Sequence, residues 1–272
     1  MKTKELVVMS AAERNALWMR RLYMSLPVIS LSLLILLWVA ASNGEKSQLP
    51  SPLAIWDRFL LLMKNPIKGL NIFGHIWASL QRVFIALLIA WTLGISFGIL
   101  TGWNKKADAL FTPLFTAFRS IPPLAWIPLI TIWFGTNEGS KILVVFIGCI
   151  GSIVVNTQAG MSNIQKLYID VGTIFNANNR QKLFLIAIPS ALDAIFAGVR
   201  TSTSAAWMVV LASEMLGGKS GVGFLIVRGM DSVDLPLVLL SMVCIGIVGA
   251  LLAIVTQMSE RMICPWTRKR SV

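Results

Sequence analysis

Charge is what this sequence has least of. Asp, Glu, Lys and Arg make up 13% of its 272 residues, about half of the roughly 25% usual in a soluble domain. That scarcity removes the solvated surface of an ordinary cytosolic enzyme, and the apolar content excludes a disordered chain. Histidine is represented by His75 alone, which leaves no His-rich metal site and argues against a Ser-His or Cys-His catalytic pair. Cys149, Cys244 and Cys264 are scattered and odd in number, so neither a disulfide framework nor a zinc site follows from them. What is abundant is apolar: 56% hydrophobic residues and a mean hydropathy of +0.75 point to lipid as the solvent.

A helix rises about 1.5 Å per residue, so a hydrocarbon core of about 30 Å takes roughly 20 apolar residues to cross. Six stretches meet that length: Leu22–Ala41, Ile76–Gly102, Leu110–Phe134, Ile142–Ala159, Ser190–Leu216 and Leu235–Gln257. The expected fold class is therefore an all-α membrane protein with about six transmembrane helices. The first run, with basic residues ahead of it and Ala40-Ala41-Ser42 behind, has the outline of a signal peptide. It is long enough to span, and the polar stretch before it is long for a leader, so a span is the better reading.

With the N-terminus placed inside, fourteen Lys and Arg fall on the inner side, among them Lys2, Lys4, Lys105, Lys166, Arg268, Lys269 and Arg270. Seven, including Lys46, fall outside, and Arg82, Arg119 and Arg200 lie within spans, which completes the 24. Positive loops stay in the cytoplasm, so both termini are expected there. The net charge of +12 then serves orientation and is not a nucleic-acid footprint. Residues 1–75 are expected to hold a cytoplasmic N-terminus, the first span and an external amphipathic helix. In that helix Leu53, Ile55, Trp56, Phe59 and Met63 form the apolar side. Residues 76–260 form the core, with a cytoplasmic loop at 160–189, and 261–272 form a tail.

Several residues break the bland apolar pattern. Gly94, Gly98 and Gly102 leave a groove for close approach of another helix, in this chain or in a second copy. The run Arg119-Ser-Ile-Pro-Pro-Leu-Ala-Trp126-Ile-Pro128 cannot be an unbroken helix. Irregular backbone at membrane depth belongs inside protein or along a watery cavity. Arg119 either bonds the carbonyls freed by the prolines or lines a route. Arg200, Trp207 and Glu214 are spaced by seven and share one helical face. Arg200 either neutralises Asp193 or Glu214 or meets a solute, and two mid-depth arginines favour an anion over a cation. Ser213–Ser220 resembles a phosphate-binding loop, but serine replaces its first glycine and a membrane helix replaces the strand before it. Nucleotide binding is rejected on those grounds, and the glycines from Gly217 to Gly223 read as a turn into a short surface or re-entrant segment.

The loop Gly160–Pro189 is too polar to span. Ile164, Leu167, Tyr168, Val171, Ile174 and Phe175 recur at helical spacing, and Asn176-Ala-Asn-Asn179 makes a turn before Arg180-Gln-Lys182. A helix–turn–helix projecting from so apolar a protein calls for a docking partner; a surface hairpin bracing the bundle is the alternative.

At this loop the sequence resembles the membrane subunit of type I ABC importers, in the branch handling nitrate, sulfonates, taurine or bicarbonate. Asp170-Val171-Gly172 stand at the positions of that family's Glu-Ala-Ala, Asn176 at its glycine, and Ile186, Ile188 and Pro189 at its Ile-x-Leu-Pro. Asparagine is the next-best residue for the left-handed turn that the glycine supports. The Arg119–Leu129 run, Ile132-Trp-Phe-Gly135, Ser140-Lys141-Ile142, Gly198-Val-Arg200, Trp207 with Glu214-Met215, Gly221-Val-Gly223-Phe224 and the terminal Pro265-Trp266 also resemble the sulfonate and taurine branch. The resemblance covers roughly residues 50–266.

It implies a type I importer permease fold in the inner membrane, a dimer with a second copy, two ATPase subunits and an external solute-binding protein. The ATPases would dock through Asp170, Val171, Gly172, Phe175, Asn176, Ala177, Asn178, Asn179, Arg180 and Lys182. No cofactor is implied on this chain; ATP and Mg belong to the ATPase. Arg119, Trp126, Arg200, Trp207 and Glu214 are the candidates for the path or gate of a small anion. Alternatives are a permease for another small organic solute, or a secondary transporter, which would usually show inverted halves or more spans. A membrane enzyme lacks a close carboxylate pair within a span, and a purely structural subunit leaves the mid-depth charges without a purpose.

Overall fold

The computed structural model describes residues 11–43 and 49–264. Lys2, Lys4, Lys46, Pro265, Trp266, Arg268, Lys269 and Arg270, used in the charge count and the resemblance, lie outside the described residues. The chain forms two compact units, residues 1–57 and 58–272.

The first unit holds helix α1 (Ala11–Ser42), whose Ser25–Ser42 stretch is apolar enough to cross a membrane. None of that stretch is buried by protein. The Trp38 indole donates to the Pro50 carbonyl at 3.1 Å, tying the end of α1 to the segment that leads into α2 (Pro52–Lys64). Ser51 caps α2 by accepting the Ala54 N–H at 3.2 Å.

The second unit is a bundle organised around α6. Helix α3 (Ile72–Trp103) starts where Asn71 accepts the Gly74 N–H, and α4 (Lys105–Arg119) where Asn104 accepts that of Lys106. After a 3-10 turn at Pro123–Ala125 come α5 (Trp126–Phe134) and α6 (Glu138–Ser162), the latter capped by Asn137. Short α7 (Lys166–Ile174) and α8 (Asn179–Gln181) lead through a π-turn, Lys182–Ala187, into α9 (Ile188–Met215). Helices α10 (Val222–Asp231) and α11 (Leu235–Ile263) complete the unit.

The glycine spacing sets the packing. Gly94, Gly98 and Gly102 lie against Ile153, Thr157 and Met161, each 59 positions further on. That constant offset means α3 and α6 run parallel, and the groove left open in the sequence is filled by this same chain. A Cβ on Gly98 would stand 2.7 Å from that of Thr157 and 2.9 Å from the Val154 carbonyl oxygen. Gly160 meets Ala194, Gly198 meets Ile153 and Gly148 meets Val209, so α9 runs antiparallel along α6. In lipid, where burial of apolar surface drives little between helices, such close approach is what holds them together.

Parallel α3 and α6 need a return crossing, which α4 and α5 supply. Gln158 near the end of α6 donates to Asp108 of α4 at 2.7 Å, whereas α5 leads to the start of α6. The two helices are bent by 73° at the prolines, a broken span of the kind their spacing predicts. With it the described residues hold five to six helices long and apolar enough to span.

The helices exceed the predicted spans because their polar caps, Asn71, Asn104 and Asn137, lie beyond the apolar windows. The second arm of the predicted helix–turn–helix is not a separate helix: Asn179–Met215 forms one 37-residue run. Pro189, expected to close the loop, sits in the first turn of α9. The Ile188 N–H reaches back to the Leu183 carbonyl, five residues away, and this wider turn makes room for the proline ring.

Candidate functional site

The loop end of the bundle is built by α7 and the turn after it. Asn176 adopts φ +53°, the left-handed geometry expected of it, and the Ala177 N–H closes onto the Gly172 carbonyl at 2.9 Å. Asn178 and Gln181 form a reciprocal capping box that starts α8. Gly172 is buried because a Cβ there would stand 2.6 Å from Ile186 Cδ1. Asp170, Val171, Asn178, Asn179 and Arg180 face outward, and Ala177 and Lys182 are half-buried. At the tip, Ile174 is 79% and Phe175 80% exposed. With Leu167, Tyr168 and Val171 also exposed along α7, these two large apolar side chains at the tip form a patch that wants a partner. Behind them a cleft of about 800 Å³ runs between α7 and the start of α9, lined by Tyr168, Val171, Ile186 and Asp193.

The opposite end of the bundle carries a charged cluster. Arg82 donates two bonds to Glu138, from Nε at 2.5 Å and from Nη2 at 2.9 Å. It donates a third from Nη1 to Glu214 at 2.5 Å. Two further bonds reach the Ser220 carbonyl and hydroxyl at 3.0 and 2.6 Å. Lys141 adds a bond to Glu138 at 2.8 Å. Two cations thus meet two carboxylates, so the cluster is neutral as a whole. The second Glu214 oxygen accepts from the Ser79 hydroxyl and the Gly223 N–H, both at 2.9 Å. His75 Nδ1 accepts the Gly221 N–H and leaves its Nε2–H for the Ile67 carbonyl, both at 3.2 Å. Those two partners fix the neutral tautomer.

The stretch resembling a phosphate loop closes on the chain's own carboxylate. Gly221, at φ +109°, passes so close that any Cβ would fall on the Glu214 carboxyl group. The N-terminus of α10 then holds an anion in the usual way, and that anion is Glu214.

The five path candidates do not gather at one place. Arg119 lies midway along the bundle, over Gly151 of α6, and lines a cavity of about 400 Å³ with Asn156 and Thr201. Trp126 packs on Phe118 with ring centroids 5.2 Å apart, and its indole N–H is buried without an acceptor. Trp207 is buried and donates to the Ile245 carbonyl at 3.2 Å, joining α9 to α11. Arg200 pairs with Glu260 of α11 at 2.9 Å, and neither Asp193 nor Glu214 is its partner. The reason is spacing along α9: Glu214 lies almost four turns away and is already held by Arg82, while the end of α11 passes beside Arg200. Glu214 itself sits at the end of the bundle opposite the loop, 1% exposed.

Arg82, Glu138, Ser79 and Ser220 were not singled out from sequence. One signal was present: His75, Ser79 and Arg82, at i, i+4 and i+7, place a polar stripe on an otherwise apolar span.

Comparison with known proteins adds to this geometry. A family profile described as "Binding-protein-dependent transport system inner membrane component" matches residues 92–269. The nitrate import permease protein NrtB of Synechocystis sp. (strain ATCC 27184 / PCC 6803 / Kazusa) is 34% identical over 250 residues, covering 89% of this chain and 90% of that protein. The bicarbonate transport system permease protein CmpB of Synechococcus elongatus is 33% identical over 235 residues, covering 84% of each. Among solved structures, the inward-facing MetNI methionine ABC transporter aligns with a TM-score of 0.60 at 18% identity, over 79% of this chain and 99% of that one. This last likeness is one of fold.

Proposed function

This chain belongs to the binding-protein-dependent transport system inner membrane components, the multi-pass permease subunits of ABC importers, and on that premise we propose that it forms the translocation path for a small anion. The class is that of sulfonate or taurine, nitrate or bicarbonate, delivered by an external binding protein. It is a transport subunit and not an enzyme; ATP and Mg bind on a partner ATPase. In this reading two copies of the chain pair, two ATPases dock at the α7 loop, and both termini lie on the cytoplasmic side with that loop. The unburied α4, with Leu110 and Leu114 outward and no buried residue of its own, supports pairing with a second copy.

The observation that carries the reading is the loop tip. Ile174 and Phe175 stand on a turn braced by Gly172, Asn176 and the Asn178 box, a rigid apolar knob at the end of a helix that continues through the bundle. ATP-driven closure of the ATPase pair would push on this knob and rock α9 against α6, a rigid-body transition between two packed arrangements. Arg119 and Trp126 then flank the route at its proline break. Arg200, Trp207 and Glu214 hold α9 to α11, α3 and α10, and so gate the route by setting where α9 sits.

The test is co-purification with a candidate ATPase subunit, followed by transport in proteoliposomes. Ile174→Asp and Phe175→Asp should lose the ATPase while leaving the permease folded. Uptake of solute by the purified chain alone, with no ATPase present, would refute the reading in favour of a secondary transporter.

A further inference from the structure

The cavity beside the proline break is furnished more specifically than a passage needs. Its wall carries one cation, Arg119, and no acidic residue. The Arg119 side chain takes no part in bracing the break itself. The Ser120 N–H bonds Thr116, the Ile121 N–H bonds Phe118 and the Ala125 N–H bonds Pro122, while the Ser120 hydroxyl also bonds Thr116. The bonds made at the break, to the Thr116, Phe118 and Pro122 carbonyls, thus come from backbone and serine, and among the described residues the Arg119 guanidinium has neither an ion pair nor a hydrogen bond. Facing it on α6 are Ser152, whose hydroxyl is likewise uncommitted, and Asn156, whose amide gives one N–H to the Ser152 carbonyl at 2.8 Å and keeps the other. Phe115 and Phe118 of α4 supply an aromatic wall on the other side.

We propose that this cavity is a selectivity site which the permease itself contributes, taking an organic oxyanion. The head of the ligand accepts N–H bonds from Arg119 and Asn156 and an O–H bond from Ser152, and its carbon body lies on Phe115 and Phe118. The donor set accepts sulfonate or carboxylate, and the Arg119 charge disfavours a cation. The volume falls within the range of small-molecule sites, about 300–1,000 Å³. An inorganic ion such as nitrate fills the donors and leaves the aromatic wall bare, so the site ranks alkyl sulfonates above it. This rests on the reading of the chain as an anion permease and adds to it a discriminating element inside the path. Asn156 and Ser152 set the shape of the headgroup that fits.

The test uses the full chain with its ATPase in proteoliposomes, with Cys149, Cys244 and Cys264 replaced by alanine and Thr201→Cys as a reporter in the cavity wall. Labelling rates are measured with anionic 2-sulfonatoethyl methanethiosulfonate and with its cationic trimethylammonium analogue, each normalised to the same reagent on a free thiol in solution. An unpaired guanidinium lining a partly solvated cavity should favour the anionic reagent about tenfold. Arg119→Gln should bring the ratio to about one, and Arg119→Lys should keep it above that. Millimolar ethanesulfonate should slow the labelling more than equimolar nitrate does. A ratio near one with Arg119 in place, or no protection by either anion, would overturn the site. Equal protection by the two would overturn the role of the aromatic wall. Labelling requires neither ATP hydrolysis nor a binding protein, so a failure here is distinct from a failure of transport.

Discussion

Replacing Arg82 by leucine removes the positive side of the pair that holds Glu214. Two unit charges about 4 Å apart attract by about 4 kcal/mol at an effective dielectric of 20. Removing one partner of a buried pair generally costs about 3–5 kcal/mol, because the other is left uncompensated. Here Glu214 keeps its bonds from Ser79 and Gly223, so the expectation falls at the lower end, about 3 kcal/mol. Glu138 also loses Arg82, but it is open to water and retains Lys141, so little is added there. Glu214→Leu alone strands Arg82 less, since Glu138 and Ser220 remain. The double variant Arg82→Leu/Glu214→Leu removes both charges together and should cost clearly less than the sum of the singles, by at least about 2 kcal/mol. The assay is equilibrium unfolding by SDS in mixed micelles, followed by circular dichroism for the parent, both singles and the double. If each single costs less than about 1 kcal/mol and the two add within about 0.5 kcal/mol, the cluster does not hold the helix ends together.

Gly98→Leu should weaken the α3–α6 contact by about 2–3 kcal/mol, whereas Gly246→Leu, with nothing within 4 Å, should leave the same unfolding curve in place. Asn176→Gly should keep the loop turn and ATPase coupling, while Asn176→Val, forced to a positive φ, should cost about 1–2 kcal/mol and lower binding-protein-stimulated ATP hydrolysis. The Cys264 thiol is pushed up by burial and by the carboxylates of Asp193 and Glu260. Its thiolate is therefore scarcer than that of a free cysteine, so alkylation by iodoacetamide should lag a free cysteine at pH 7.5, and the lag should narrow as the pH is raised.

Much of the bundle was legible because lipid imposes a simple rule: five of the six apolar runs lie in long helices, and the sixth is the broken span. The prolines between Arg119 and Pro128 announced the broken span, and Asn176 its left-handed turn. The helix ends were not legible, since Asn71, Asn104 and Asn137 cap from beyond the hydropathy window. The charged cluster was hidden for a different reason. Arg82 and Glu214 are 132 residues apart, and nothing local to either one names the other. Arg200 shows the same limit from the other side: heptad spacing on α9 points to Asp193 and Glu214, while the actual partner, Glu260, arrives on α11. Periodicity describes one helix at a time, and ionic partners in a bundle are a property of pairs.

The unbroken run from Asn179 to Met215 makes the molecule a mechanical lever. At about 1.5 Å per residue its 37 residues form a rod of roughly 55 Å, with the Asn176 turn at one tip and the Glu214 clasp at the other. If it pivots about its middle, a tilt of about 3° swings each tip by roughly 1.4 Å. That is more slack than hydrogen bonds of 2.9 Å to Glu214 can absorb before they weaken steeply. Even a small stroke delivered to the loop must therefore either carry α3 and α10 along as one body or unfasten the clasp at the far face of the membrane.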